Sequence, residues 1–453
     1  MVAHDIVIVG GGLVGQTLAD RLARDGHDVT LIERDRATAR ELSETLDVSI
    51  IEGNGATASV LREARIEHCG LVVAATESDE ANMVVGLLAA HVFHTPRIIV
   101  RVRDPGHEEG FARACSDRGI ESLCINPDVA SVDRVATLLD VPGAVDVMQF
   151  FDGSVFVAGF RIASTSDFAG LRVSDMKLLF ASAPTLVVAI ERDGSWLVPG
   201  GLENIHAGDL VYFAISRRDL GDVLSLVGVP PEKRGGRVMV VGATPIGLAL
   251  ARRLAASRTR VVMLEADAEL ARRAAGELDD VMVIQGRPTD RALLEDEEIE
   301  HVSAFVAVTT DHETNLAAGL LARRLGAGRS IVLIDNPAMA SMVGDIGIDA
   351  IISPRILTIA LVLQHIRGSG VRSGAALLGD AIEIIDVEIE QACRLTSGTL
   401  MEIGLPRGVL VAALRRDDTQ IFPKGDTRVA PGDRVLIVSM SELSGKLTEY
   451  IEN

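Results

Sequence analysis

The sequence predicts an α/β protein in which two doubly wound parallel-sheet domains alternate with two small α+β domains, as a tandem A-B-A-B repeat. Three observations carry this expectation. In two regions short Val/Ile runs alternate with Ala/Leu/Arg stretches of helical length, the pattern of βαβ units. Those runs are apolar almost throughout, as strands covered by helices on both faces must be. The whole pattern also occurs twice, since DIVIVGGGLVG at residues 5–15 returns as RVMVVGATPIG at 237–247.

The elements of unit A pair off in order. The second strand ends in LIERD (31–35) and MLEAD (263–267), and the third in IIEGN (50–54) and VIQGR (283–287). The fourth runs into VAATESDEAN (73–82) and AVTTDHETN (307–315), then RDP (103–105) matches DNP (335–337) and INP (125–127) matches ISP (352–354). Unit B repeats as well. LVVAIERDGSWLVPGGLENIHAGD (186–209) matches VLVAALRRDDTQIFPKGDTRVAPGD (409–433), pairing Arg192, Pro199, Gly208 and Asp209 with Arg416, Pro423, Gly432 and Asp433. Unit B alternates apolar and polar residues over short runs with Gly/Pro/Asp turns, as a small α+β sheet domain does. The expected boundaries are 1–127 and 237–354 for unit A, 144–226 and 373–453 for unit B, helices at 128–143 and 355–372 linking A to B, and a polar linker at 227–236.

Composition narrows the function. With 453 residues the chain has room for several cores, and with 3% aromatics those cores are Val, Ile, Leu and Ala. Mean hydropathy is positive, yet the longest charge-free stretch, 81–96, contains Asn82, His91, His94 and Pro96, so no membrane-spanning helix is expected. The N-terminus has no basic n-region and runs straight into a strand, which points to a soluble intracellular protein without a signal peptide. A net charge of −20 argues against a nucleic-acid partner and against adhesion to anionic lipid, while leaving room for a basic protein surface. Cys69, Cys115, Cys124 and Cys393 form no C-x-x-C pair and read as reduced thiols.

The chemistry concentrates at the first glycine turn. Gly10-x-Gly12-x-x-Gly15 follows a strand and opens a helix inside a βαβ unit. In such a Rossmann-like setting Gly10 permits the tight turn, Gly12 lets backbone approach a pyrophosphate, and Gly15 lets helix and strand pack. The anion then rests on helix N-terminal N–H groups. Glu33 follows Gly15 by 18 residues, where a carboxylate accepts from a ribose 2′-OH and repels a 2′-phosphate, favouring NAD(H). The alternative is a glycine turn retained for packing alone.

The second copy keeps Gly242, Gly247 and Glu265 but places Thr244 and Pro245 inside the turn. A Cβ at Thr244 crowds close approach and Pro245 lacks an N–H, so both a nucleotide site and a structural relic remain open. Thr76 and Glu77 follow the fourth strand at the carboxyl edge, with Asn82 beyond them, and Thr309, Thr310 and Asn315 are their counterparts. These residues read as ligand contacts, as helix N-caps, or as both. Arg101 in the fifth strand is placed to face phosphates, and Leu333 replaces it in the second copy. His91 and His94, three apart on a helix, and the acidic run 295–298 are read as solvated helix faces rather than metal ligands.

The tandem order, with GGGLVG at 10–15, LREARIEHCGLVVAATESDEANM at 61–83 and the helix-linking ISP at 352–354, resembles the TrkA family, the cytosolic regulatory subunits of Trk potassium uptake systems. The resemblance spans essentially the whole chain. It implies that unit A is an RCK N-terminal (TrkA-N) domain and unit B a TrkA-C domain. It further implies a homotetrameric ring, peripheral at the inner face of the cell membrane, beneath a TrkH- or TrkG-type potassium-transporting membrane protein. NAD or NADH, with ATP and ADP, are the implied ligands. The implied contacts fall on Gly10, Gly11, Gly12, Leu13, Val14, Gly15, Glu33, Thr76, Glu77 and Arg101, and in the second half on Gly242, Ala243, Thr244, Pro245, Ile246, Glu265 and Thr309. No catalytic residue is expected. An NAD-dependent dehydrogenase would need an acid/base, usually a His or Lys, near the nicotinamide, and unit B offers His206 in copy one only, in a turn, without a counterpart in copy two. A nucleotide-sensing regulator of another ion transporter is the remaining alternative.

Overall fold

Parallel pairing dominates the first half of the computed structural model, which describes residues 5–116, 119–180, 183–229, 236–336, 339, 347–366, 371–376 and 381–451. Strands β1 (Asp5–Val9), β2 (Asp28–Glu33), β3 (Ser49–Glu52), β4 (Leu71–Ala74), β5 (Arg97–Arg101) and β6 (Glu121–Ile125) form one sheet in the order 3-2-1-4-5-6. Between them run α1 (Leu13–Arg24), α2 (Arg36–Thr45), α3 (Ala58–Glu63), α4 (Asp79–Leu88) and α5 (Pro105–Ser116). The order reverses between β1 and β4, so a crevice opens beyond their carboxyl ends.

Helix α6 (Pro127–Asp140) leads into the first antiparallel domain, β7 (Asp146–Phe150), β8 (Val155–Arg161), α7 (Val173–Leu179), β9 (Thr185–Arg192), β10 (Ser195–Leu197), β11 (Leu210–Ser216) and α8 (Leu220–Leu226). Its sheet order is 10-9-11-8-7. The parallel sheet then repeats as β12 (Arg237–Val241), α9 (Pro245–Ala256), β13 (Val261–Glu265), α10 (Ala268–Glu277), β14 (Met282–Gln285), α11 (Arg291–Asp296), β15 (Val302–Ala307), α12 (His312–Arg324), β16 (Ser330–Leu333) and β17 (Ala350–Ile352). Its order, 14-13-12-15-16-17, is that of the first sheet. Helix α13 (Pro354–Ile366) precedes the second antiparallel domain, β18 (Val371–Ala376), β19 (Ile382–Glu388), α14 (Leu400–Ile403), β20 (Val409–Arg416), β21 (Thr419–Ile421), β22 (Arg434–Met440) and α15 (Ser444–Ile451). Residues 230–235 of the expected linker and 367–370 of the expected second linking helix lie outside the described residues.

The apolar runs are buried on both faces, and alternate side chains choose between two cores. Val7, Val9, Val72 and Val100 pack with Leu61, Val85 and Phe111 of α3, α4 and α5. Ile6, Ile8, Val73 and Ile99 pack with Leu18 and Leu22 of α1, and with Val362, Leu363 and Ile366 of α13. A helix that follows the second sheet in sequence therefore completes the core of the first. Accordingly the chain forms two compact units, residues 1–131 with 353–366, and 132–352 with 367–453.

Within the second unit the two antiparallel sheets share a core, Phe150, Val157 and Tyr212 meeting Ile384, Leu436 and Val438. Each sheet carries the same ionic staple. Arg192 donates to Asp209 through Nε and Nη2 at 2.8 and 2.7 Å, and Arg416 to Asp433 at 2.7 Å through both. Both carboxylates also accept a backbone N–H, from His206 and from Ala430. This geometry explains why the Arg/Asp spacing recurs in both copies of unit B.

Burial pushes the Asp209 carboxyl up, but Arg192 and the His206 N–H overcome it and hold it below the usual carboxylate value. A carboxyl that titrates lower in the folded than in the unfolded state contributes fully above about pH 4, and that contribution is lost as pH falls through the folded value. Asp209→Asn should therefore cost about 1–3 kcal/mol at pH 7 and flatten the acid side of the stability profile. Urea unfolding followed by Trp196 emission from pH 2 to 7 measures both, and an unchanged acid slope would refute the staple.

Candidate functional site

Beyond β1 the chain must turn sharply, and Gly10 does so with φ +110°. A Cβ at Gly10 would lie 3.0 Å from the Thr76 nitrogen, so the loops after β1 and β4 touch at the point where strand order reverses. Gly15 is required for packing, since a Cβ there would sit 1.8 Å from the Gly10 carbonyl oxygen. Gly12 is different. Its backbone is extended, and a Cβ would meet nothing within 4 Å. It caps α1 with no side chain to offer. The first-turn N–H groups of α1, at Leu13, Val14 and Gly15, have no helical acceptor and carry the positive end of the helix dipole. A helix start left open in this way accepts an anion.

Glu33 closes one side. Its Oε2 accepts from the Gly11 N–H at 2.6 Å and its Oε1 from the Asp35 N–H at 2.7 Å, which fixes the carboxylate at the end of β2 with lone pairs to spare. Gln16 Nε2 donates to the Gly11 carbonyl at 2.6 Å and steadies the same loop.

On the other side Asn82, fully buried, organises the edge after β4. Its Oδ1 accepts from the Thr76 N–H at 2.9 Å and the Thr76 hydroxyl at 2.7 Å. Its Nδ2 donates to the carbonyls of Thr76 at 3.0 Å and Arg101 at 2.8 Å. Arg101 Nη1 donates to the Thr76 carbonyl at 3.1 Å, bringing the guanidinium to the carboxyl edge. Asp79 accepts from the Arg103 and Asp104 N–H groups. Asp128 is drawn up by burial and restrained by Arg103 and Arg101. Glu77 is exposed. Gly10, Gly11, Glu33, Thr76 and Arg101 are therefore brought together at the carboxyl edge of the sheet.

The second half reproduces this frame. Gly242 has φ +102°, the Ala243 N–H donates to Glu265 at 2.6 Å, and the Thr309 N–H and hydroxyl donate to Asn315 at 3.0 and 2.7 Å. The anion-facing part differs. The Thr244 hydroxyl accepts from the Gly247 N–H at 3.2 Å and donates to the Val308 carbonyl at 2.9 Å. Pro245 takes the first helical position. Leu333, at the register of Arg101, is buried.

Several expectations change here. Thr76 and Thr309 do not cap helices, because the caps are Ser78 and Asp311, two residues further on, and their hydroxyls are spent on Asn82 and Asn315. His91 and His94 do not share a helical face, since a π-turn spans Ala89–Phe93 and His94 ends it in the left-handed region. The run 295–298 is split, with α11 ending at Asp296 and Glu298 left-handed. Burial pushes the Cys69 and Cys124 thiols up to about 11 and 12. Among the described residues no group of three or more His, Cys, Asp or Glu could hold a metal ion, and no helix is long and apolar enough to cross a membrane. The brace that Asp79 gives the loop after β5 was not read from the sequence, and no local signal announces it.

The family model of the TrkA-N domain matches residues 6–122 and 238–354, and that of the TrkA-C domain matches 386–451. The chain is 31% identical over 443 residues to the Trk system potassium uptake protein TrkA of Azorhizobium caulinodans, covering 96% of each. It is 32% identical over 438 residues to that of Halomonas elongata, covering 95% of each. Among solved structures, the GsuK RCK domain is similar at a TM-score of 0.60 and 20% identity, over 99% of this chain and 95% of that one. The GsuK channel bound to NAD is similar at a TM-score of 0.60 and 19% identity, over 99% of this chain and 79% of that one. At that identity the structural likeness concerns the fold.

Asn82→Ala would strand the Thr76 N–H and the Arg101 carbonyl. We expect a cost of about 3 kcal/mol in urea unfolding, with a similar cost for Asn315→Ala. A cost below about 1 kcal/mol would show that the edge is held by other contacts.

Proposed function

The chain belongs to the TrkA family, and on that premise we propose that it is the nucleotide-sensing regulatory subunit of a Trk-type potassium uptake system. In this reading it assembles as a homotetrameric ring in the cytoplasm. The ring docks beneath a TrkH- or TrkG-type membrane protein and adjusts potassium transport without catalysing a reaction. The acidic chain, at −20, favours a basic docking face on that partner.

The observation that carries the nucleotide part is the open start of α1. Gly12 caps the helix without a side chain, and the space a Cβ would take there is empty, so a pyrophosphate fits against the first-turn N–H groups. Glu33 supplies the acceptor for a ribose 2′-OH, and Arg101 at the carboxyl edge supplies positive charge. NAD or NADH is the ligand we assign first, with ATP and ADP as competitors for the same donors. A channel of similar fold has been solved bound to NAD. The contacts are Gly10 to Gly15, Glu33, Thr76, Glu77 and Arg101. Their second-half equivalents are Gly242 to Ile246, Glu265 and Thr309.

Regulation requires only that the nucleotide bind one ring geometry more tightly than the other, and a coupling of about 1–3 kcal/mol is ordinary. Calorimetric titration with NADH, NAD, ATP and ADP tests the proposal directly. We expect micromolar binding, weaker binding of NADP because Glu33 repels a 2′-phosphate, and loss of binding in Gly12→Asp. Potassium flux through the membrane partner should then respond to nucleotide with the native chain and not with Gly12→Asp. Absence of binding by all four nucleotides, or binding indifferent to Gly12→Asp, would overturn the proposal.

A further inference from the structure

We infer that the second compact unit holds a site for a small organic carboxylate, in a cavity floored by the buried Arg329 guanidinium. The cavity lies at the amino edge of the second parallel sheet, the opposite edge from Gly242, and the inference stands apart from the nucleotide reading.

The cavity has a volume of about 270 Å³, with apolar walls from Leu139, Pro142, Val229 and Ala304 and charged groups from Arg329 and Asp349. Mostly apolar walls with a few converging polar groups are what small-ligand sites present, and this volume suits a ligand below drug size. Arg329 is 6% exposed. Its Nη1 donates to the Leu138 and Val141 carbonyls and its Nη2 to the Ala144 carbonyl. These acceptors belong to the last turn of α6 and the segment after it, and they offer only the partial charge of a helix end. Nε is buried and meets no acceptor among the described residues. Burial pulls the guanidinium down to about 10, as it does for a cation removed from water with no full counter-charge bonded to it.

The first copy answers the same cation differently. RIIVRVRDP (97–105) matches RSIVLIDNP (329–337), so Arg97 and Arg329 correspond. IESLCINP (120–127) matches GIDAIISP (347–354). Glu121, which stands opposite Arg97 across the first sheet, thus corresponds to Ile348. The arginine recurs and the carboxylate does not. Asp349 lines the cavity, but its Oδ2 accepts from the Ser330 N–H at 2.7 Å and lies 2.9 Å from Arg323 Nε. Arg134, whose charge also reaches Arg329, is balanced by Asp146. Two guanidinium groups, Arg323 and Arg329, and one carboxylate, Asp349, leave one positive charge over. A ligand carboxylate accepting from Nε balances it, and a charge-assisted bond of this kind is roughly twice as strong as a neutral one. The apolar body of the ligand rests on Leu139, Pro142, Val229 and Ala304. An inorganic anion would answer the charge and leave those walls unfilled.

Calorimetric titration of the full chain with benzoate, at fixed ionic strength in sodium sulfate, tests the inference. We expect benzoate to bind, and benzamide, of the same shape without the charge, to bind at least about tenfold more weakly. Exchanging sulfate for chloride should leave the benzoate dissociation constant unchanged. Arg329→Met should abolish binding. Val229→Trp, at a half-buried position, fills the cavity with the arginine intact and should abolish it too. Thermal unfolding midpoints establish that each variant folds, and Val229→Trp decides the matter where removal of Arg329 unfolds the chain. Gly12→Asp should bind benzoate as the native chain does. Absence of benzoate binding, benzamide binding as tight as benzoate, or binding that survives Val229→Trp would overturn the inference. Displacement of benzoate by chloride would overturn the organic class of the ligand. Loss of binding in Gly12→Asp would place the anion at the start of α1, which overturns this site and leaves the nucleotide reading standing.

Discussion

A parallel sheet whose strand order reverses beside its first strand leaves a helix start facing the reversal, and the donors of that start need acceptors. The nucleotide site proposed for this chain depends on how that need is met. In the first half Gly12 leaves those donors without a side-chain cap, the arrangement in which a helix start can receive an anion. In the second half a threonine answers it from within. The two turns differ at Thr244, whose hydroxyl lies 3.2 Å from the Gly247 N–H, at Pro245, and on the opposite lip at Leu333 in place of Arg101.

The rest of the crevice is built to keep those donors in place. Glu33 and Glu265 tie the glycine loops to the second strand of each sheet, and Asn82 and Asn315 tie the opposite lip to the fifth. Each Asn satisfies four backbone or hydroxyl groups in a site without room for error, because a buried polar group left unpaired costs more than its bond is worth when made. Both lips are therefore tied by hydrogen bonds within the chain, and preorganisation of this kind lowers the entropy that binding must overcome.

The antiparallel domains solve a different problem. Their sheets bury one another's apolar faces, but charged groups run through the contact. Asp152 meets Arg415 at 2.9 Å and Arg434 at 2.8 Å, and Arg434 grips the fully buried Asp386 at 2.6 Å through two nitrogens. Such pairs are often worth no more to stability than apolar packing of the same volume, whereas removing one partner leaves a buried charge uncompensated. The residues equivalent to Asp386 and Arg434 in the first copy are Gly159 and Leu210, so the two faces are not interchangeable.

The duplicated order, both parallel sheets, the two small α+β domains and the inequality of the two glycine turns were legible in the sequence. They depend on local rules: apolar runs for covered strands, glycine for positive φ, threonine and proline for helix starts. The family was legible for the same reason, since tandem order is a linear property. Three things were settled only by tertiary structure. Thr76 and Thr309 became partners of buried asparagines rather than helix caps, because a hydroxyl serves whichever donor or acceptor the fold brings nearest. His91 and His94 parted company when a π-turn ended their helix. Helix α13 packed on the first sheet rather than the second, a choice its apolar stripe could not announce, because a stripe records that a face is buried and not against what.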